Sequence, residues 1–219
     1  MKYGIIDTIA YTISARSRRK KYQQFLRFMQ PHADDSILDV GANVTEYSDT
    51  DNYLEKAYPY PERITIVSQE NVAPLAERYP NIRVISGDGR QMSFADNEFD
   101  IAYSNAVIEH VLGEAEQLRF LQELYRVSRR GYITTPNRRF AIEIHTRVPL
   151  AHLLLSEKNF HRVLQFFGKG WAGEGYMDLL DIQRLRRLVA AAGIRDAVIT
   201  PNRFCGLPMT FTVTWKKYD

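Results

Sequence analysis

An open α/β sheet with helices on both faces is the fold class that the 219-residue sequence predicts. Three observations point to it. Short β-branched runs alternate with stretches of helical periodicity. The runs are five or six residues long and are bounded by turn residues, as buried parallel strands are. Near the end, two runs follow each other with only a short link, which suits an antiparallel pair at one sheet edge.

The elements follow in order. Ser36-Ile-Leu-Asp-Val-Gly41 reads as a buried strand stopped by glycine, and Arg63 to Ser68 as a second. Asn71 to Tyr79 reads as a helix, with Asn71 as N-cap and Pro74 in the first turn, where proline is tolerated. Ile82 to Ser86 is the third strand, closed by Gly87-Asp88-Gly89, and Phe99 to Ser104 is the fourth. Glu114 to Ser128 places Leu118, Leu121, Leu124 and Val127 on one helical face. Gly131 to Thr135 is the fifth strand, ended by Pro136. Asp181 to Ala192 is a helix capped by Gly193. A strand near Ala197 to Thr200 and the alternating Met209 to Trp215 complete the sheet. Thr45 to Pro61 and Pro136 to Asp181 interrupt the alternation. An insertion as long as the latter usually forms a cap or substrate wall.

Composition bounds the rest. Apolar residues make up 45% and charged residues 25%, as in an ordinary globular domain. The one cysteine, Cys205, excludes an internal disulfide framework and a Cys-cluster zinc site. No run approaches a spanning helix, and the N-terminal basic run follows its apolar stretch instead of preceding it. A single domain in the cytoplasm is expected. The net charge of +3 is unevenly spread: +4 over residues 1–35, −10 over 36–125 and +9 over 126–219. The basic run Arg16, Arg18, Arg19, Lys20, Lys21 reads first as a solvated helix face. Its other reading is peripheral contact with an anionic membrane, at about 1 kcal/mol per basic residue, or with a phosphorylated acceptor.

Open α/β sheets bind ligands at the carboxyl ends of their strands. Asp39-Val40-Gly41, Gly87-Asp88-Gly89 and Ser104-Asn105-Ala106 all lie at that end. A carboxylate at Asp39 suits a cationic ammonium group. The segments ILDVGAN and NIRVISGDGRQMSFADNEFDIAYSNAVIEHV resemble the class I S-adenosylmethionine-dependent methyltransferases, in particular the type 11 small-molecule group. The resemblance covers residues 36–135 clearly. It implies a Rossmann-like, seven-stranded, mostly parallel sheet with an antiparallel last strand, and S-adenosyl-L-methionine as cofactor. The divisions are then 1–35, an N-terminal helical segment; 36–135, the cofactor-binding core; 136–181, a helical and aromatic cap; and 182–219, the C-terminal helix and strand pair.

The resemblance also implies the site. Asp39 and Gly41, with Asn43 in the following loop, line the methionine portion. Ser68, Gln69 and Glu70 stand where the ribose carboxylate usually ends strand two. Asp88 and the backbone of Gly89 meet the adenine, and Ser104, Asn105 and Ala106 lie beside the sulfonium. Two departures stand out: the loop Gly41-Ala42-Asn43-Val44-Thr45 replaces GxGxG, and Glu70 is two residues late. They favour a second reading, a catalytically silent methyltransferase-like domain.

Methyl transfer to a small-molecule hydroxyl needs alignment, exclusion of water and a base for the proton. Nitrogen and carbon acceptors stay open. His110, at the start of the helix after strand four, and His145, in the insertion, are the candidate bases. Each also reads as a structural histidine. The Glu109-His110 pair offers too few ligands for a metal, and none is expected. Phe160, Phe166, Phe167, Trp171 and Tyr176 read as core or as an acceptor wall. The −10 block coincides with the strands that would face a cationic cofactor, and the basic blocks with the acceptor side, so the acceptor is expected to be anionic. No nucleic-acid partner is expected: Ser104-Asn105-Ala106-Val107 is not the Asn/Asp-Pro-Pro-Tyr/Phe signature of amino-methylating DNA enzymes, and a basic block carries no base readout. A nicotinamide enzyme would need G-x-G-x-x-G after strand one, and only its first glycine is present.

Overall fold

A computed structural model describes residues 5–140 and 177–218, with side chains from residue 12 onward. It contains a seven-stranded sheet in the order β3-β2-β1-β4-β5-β7-β6. The strands are β1 (Ile37–Val40), β2 (Ile64–Ser68), β3 (Arg83–Ser86), β4 (Phe99–Asn105), β5 (Ser128–Pro136), β6 (Val198–Phe204) and β7 (Leu207–Lys216). β1 to β5 are parallel, and β7 runs antiparallel between β5 and β6. The expected Rossmann-like sheet and its antiparallel end are both present. Strand order reverses between β1 and β4, so the switch point lies above Asp39 and Asn105.

β1 is buried along its whole length because helices cover both faces. Leu38 and Val40 face a core completed by α4 (Glu114–Val127) and α5 (Ile182–Ala191). In α4 the buried stripe is Phe120, Leu121, Leu124 and Val127; Leu118, expected there, is only partly buried. α5 begins where Asp181 accepts hydrogen bonds from the backbone N–H groups of Gln183 and Arg184, at 3.0 and 2.9 Å. It ends at Gly193, whose φ of +71° suits glycine.

Ile37 faces the second core, with α1 (Ile5–Met29), α2 (Tyr53–Ala57) and α3 (Ala73–Arg78). Phe25 of α1 is fully buried, edge-on to Tyr103 and Tyr132, with ring centroids 5.2 and 5.6 Å away. Burying such a side chain is worth about 1.5–3 kcal/mol. The Tyr132 hydroxyl donates to the Lys21 carbonyl at 2.9 Å. These contacts dock the C-terminal half of α1 across β4 and β5.

Some local expectations change. Asn71 accepts from the Ala73 N–H at 3.1 Å, so it forms a turn just before α3 and not its cap. His110 closes a 3-10 turn, Ile108–His110, and the helix begins only at Glu114. The stretch Thr45 to Pro61, read as an interruption, contains α2. Most of the expected cap lies outside the described residues, but its ends meet: Asn137 and Leu180 form a β-bridge.

Candidate functional site

The sheet's carboxyl edge brings most of the expected residues to one rim. The Gly41 N–H donates to the Val67 carbonyl at 3.1 Å, and the residue turns with φ +101°. A Cβ there would collide with the Val107 side chain. Glycine is therefore required by both conformation and close approach. Asn43 and Thr45, where the family pattern has further glycines, are not at positive φ. Their substitution brings no backbone strain. Asn52 holds this loop from across it: its Oδ1 accepts from the Asn43 N–H and its Nδ2 donates to the Asn43 carbonyl, both at 2.8 Å. Glu46 ties it down further, accepting from Tyr79 at 2.5 Å and from Asn52 at 2.9 Å and pairing with Lys56 at 2.7 Å.

Asp39 points to the α1–α2 face and is only 4% exposed. Glu55, on α2, is 6% exposed and hydrogen-bonded to it. Burial and the neighbouring carboxylate push the Asp39 carboxyl well above its ordinary range, and burial also raises Glu55. Glu55 Oε1 is buried without a hydrogen-bond partner among the described residues.

Around β2 and β3 the pattern differs. The Ser68 hydroxyl accepts from the Glu70 N–H at 3.3 Å, and Gln69 and Glu70 are exposed. The Gln69 side chain lies close to Asp88 and contributes to lowering its carboxyl. Arg90 grips Asp88 by Nε at 3.0 Å and by Nη2 at 2.6 Å. The Arg90 guanidinium holds the Asp88 carboxyl below its ordinary range. Gly89 is wedged between Val40 and Phe120, where a Cβ would come within 2.7 and 2.8 Å of them.

Beyond β4, Ser104 is fully buried and its hydroxyl donates to the Val40 carbonyl at 3.0 Å. It locks β4 to β1, and its hydroxyl is thereby committed. Asn105 accepts from the Thr134 hydroxyl at 2.6 Å and from Lys21 Nζ at 3.1 Å. Ala106 turns with φ +60°, a conformation unusual for alanine. His110 is exposed. Glu109 is fully buried and accepts from the Thr135 hydroxyl at 3.1 Å. His145 and the aromatics Phe160, Phe166, Phe167, Trp171 and Tyr176 lie outside the described residues.

The basic run of α1 supplies a correction. Arg16, Arg19 and Lys20 are exposed, but Lys21 is buried at the rim and Arg18 is half-buried. Arg18 pairs with Asp51 at 2.7 Å. Burial lowers the Lys21 amine to about 8, against the pull of nearby Glu109. The signal was in the spacing. Arg18, Lys21, Phe25 and Met29 fall on one stripe at steps of three or four, and Phe25 and Met29 are core residues. A cation at the end of a core stripe is aimed inward.

The rim fits the cofactor that the resemblance implies. A buried carboxylate oxygen without a partner among the described residues and the glycine turn at Gly41 stand beside the switch point, where an amino-acid ammonium can be received. Among the described residues, no group of three or more His, Cys, Asp or Glu side chains is placed to hold a metal ion. None of the described helices is long and apolar enough to cross a membrane.

Comparison with known proteins agrees. Residues 38–134 match the model of a family described as a methyltransferase domain. No curated protein sequence matches significantly. Among solved structures, a protein of Pyrococcus horikoshii OT3 superposes with a TM-score of 0.60 at 13% identity, over 93% of this chain and 91% of its own. The 1,6-didemethyltoxoflavin N1-methyltransferase of Burkholderia thailandensis, solved with its substrate and S-adenosylhomocysteine, gives 0.56 at 19% identity, over 92% and 78%. A methyltransferase of Methanosarcina mazei gives 0.52 at 16%, over 85% and 94%.

Proposed function

We propose that this chain, whose residues 38–134 match a methyltransferase domain, is a class I S-adenosylmethionine-dependent methyltransferase of the type 11 group that methylates a hydroxyl oxygen of a small anionic molecule. The observation that carries the proposal is Lys21, whose buried amine sits 3.1 Å from Asn105 at the switch point. Burial lowers its amine to about 8 and still leaves it mostly charged at pH 7. That state suits an anchor for a carboxylate or phosphate better than a base.

When bound, S-adenosylmethionine supplies a methyl group on a sulfonium already activated for transfer. The chain's residues do the rest. Asp39, Glu55 and the Gly41 backbone hold the amino-acid end. Gln69, with the Arg90-bound Asp88, borders the adenine end. Asn105, fixed by Thr134 and Lys21, orients the acceptor beside the methyl. Burial of this rim excludes water and strengthens the charge contacts. The acceptor's hydroxyl proton passes to a base as its oxygen attacks, with His110 and His145 as the candidates. Arg16, Arg19 and Lys20 remain exposed as a smaller basic patch for an anionic surface.

An acceptor screen with labelled methyl, pairing each anionic compound with a neutral analogue, tests the proposal. Anionic members should be preferred, and the preference should fall with salt. Lys21→Met should raise KM for them about 10- to 100-fold while leaving S-adenosylhomocysteine affinity nearly unchanged. Equal turnover of neutral and anionic acceptors, without salt dependence, rules out the anionic acceptor.

A further inference from the structure

Asp39 on β1 and Glu55 on α2 meet inside the protein with a hydrogen bond between their carboxyl groups. Both are more than nine-tenths buried, and Glu55 Oε1 has no hydrogen-bond partner among the described residues. A hydrogen bond between two carboxyl groups requires one of them to carry a proton. Two bare carboxylates in contact in a dry site would repel strongly.

The surrounding charges do not relieve the pair. On α1, Arg18 is bound to Asp51 and hydrogen-bonds Ser48, and Lys21 is bound to Asn105. On α2, Lys56 is bound to Glu46, which also takes the Tyr79 hydroxyl. On β4, burial keeps the Tyr103 phenol neutral, its pKa raised well above the ordinary value. Among the described residues, no lysine, arginine or histidine forms a salt bridge with either carboxyl group. The free pair therefore carries one proton and a net charge of −1.

We propose that Asp39 and Glu55 together form the receptor for the cofactor's primary ammonium, and that this ammonium takes the place of their shared proton. This rests on the cofactor reading above. An ammonium has three donors, and the two side chains offer four oxygens, including the unpartnered one. A cation of +1 between two carboxylates is better matched than a cation beside one carboxylate and one acid. The balance is simple. The protonated pair and the ammonium ligand combine, one proton passes to the buffer, and no covalent bond other than O–H changes. Glu55 thereby becomes a binding residue, although it lies outside every motif of the strand edges.

Calorimetry of S-adenosylhomocysteine binding to the full chain at pH 7, in buffers of different ionisation enthalpy, reads the released protons directly. Close to one proton per ligand is expected. 5′-Methylthioadenosine, which lacks the amino-acid portion, should release none. Glu55→Gln should lower the release to near zero and weaken S-adenosylhomocysteine about tenfold or more. For the wild-type protein, affinity should fall as pH is lowered, because protons compete with the ammonium. Binding of S-adenosylhomocysteine without proton release, or with a release that methylthioadenosine reproduces, overturns the inference while leaving the cofactor reading intact. No binding of S-adenosylhomocysteine at all overturns the cofactor reading instead. The comparison of the two ligands uses only wild-type protein, so it stands even if the variant folds poorly.

Discussion

Asp39 at the end of β1 and Asp88 just beyond β3 stand on the same edge of one sheet, but their surroundings differ. Asp39 is buried against Glu55, a second carboxylate, and its carboxyl is pushed up. The Asp88 side chain is 35% exposed, gripped by Arg90, and its carboxyl is pulled down. Arg90 in turn reaches Glu116 at 2.9 Å, and Glu116 reaches Arg119 at 2.9 Å, around an open cavity of about 360 Å³. The β3 rim satisfies its own charges before any ligand arrives. At the β1 rim no lysine, arginine or histidine among the described residues pairs with Asp39 or Glu55. Binding strength should therefore concentrate at β1, with β3 serving mainly to shape.

The largest test of that contrast is Asp39→Ala. It should weaken S-adenosylhomocysteine by two orders of magnitude or more in calorimetry, because breaking a buried charge pair costs roughly 3–5 kcal/mol. Asp88→Asn should cost only a few-fold in the same assay, since its carboxylate is half solvated and already bound. Comparable losses at both positions would dissolve the contrast.

The next effect is on folding. Gly41→Ala must hold φ +101° and displace Val107, so it should destabilise by about 2–3 kcal/mol in denaturant unfolding. Gly87→Ala has negative φ and only an ordinary contact, 3.4 Å to Val67, so a change below about 1 kcal/mol is expected.

The smallest effects are in pH dependence, and the two rims should move in opposite directions. The raised carboxyls of Asp39 and Glu55 contribute stability that is present below their unfolded values and lost as pH rises through the folded ones. Glu55→Gln removes that loss. Its ligand-free melting temperature should gain on the wild type between pH 4 and pH 8. Asp88 is lowered, so its contribution is present above its unfolded value and disappears as pH falls through the folded one. Asp88→Asn should therefore narrow the stability difference between pH 5 and pH 3. A melting profile for Glu55→Gln parallel to that of the wild type would remove the charge conflict at β1.

The strands were legible because each is a β-branched run ended by a turn residue, and the C-terminal pair because nothing helical separates them. Asp39, Gly41, Asp88 and Asn105 were legible through the positions of those strand ends. Glu55 was not, because α2 has five residues and shows no periodicity. Glu46 was hidden for a different reason: its partners Tyr79 and Arg78 lie more than thirty residues away. Lys21 was misread because a basic run usually means solvent. Only its place on the Phe25–Met29 stripe distinguishes it from Lys20. His110 was placed on a helix that starts four residues later, since Ile108, Val111 and Leu112 look helical while Gly113 ends the run.

The bridge between Asn137 and Leu180 has a consequence for how such a protein can change. Asn137 also donates its N–H to the Met209 carbonyl at 3.0 Å, and the Arg138 N–H donates to Leu180 at 3.0 Å. The intervening stretch therefore departs and returns through a single stitched neck on the central sheet. Chain added or removed beyond that neck alters closure entropy only logarithmically and leaves the ladder untouched. A change of length between Arg138 and Leu180 should therefore leave the melting temperature of the sheet nearly unchanged.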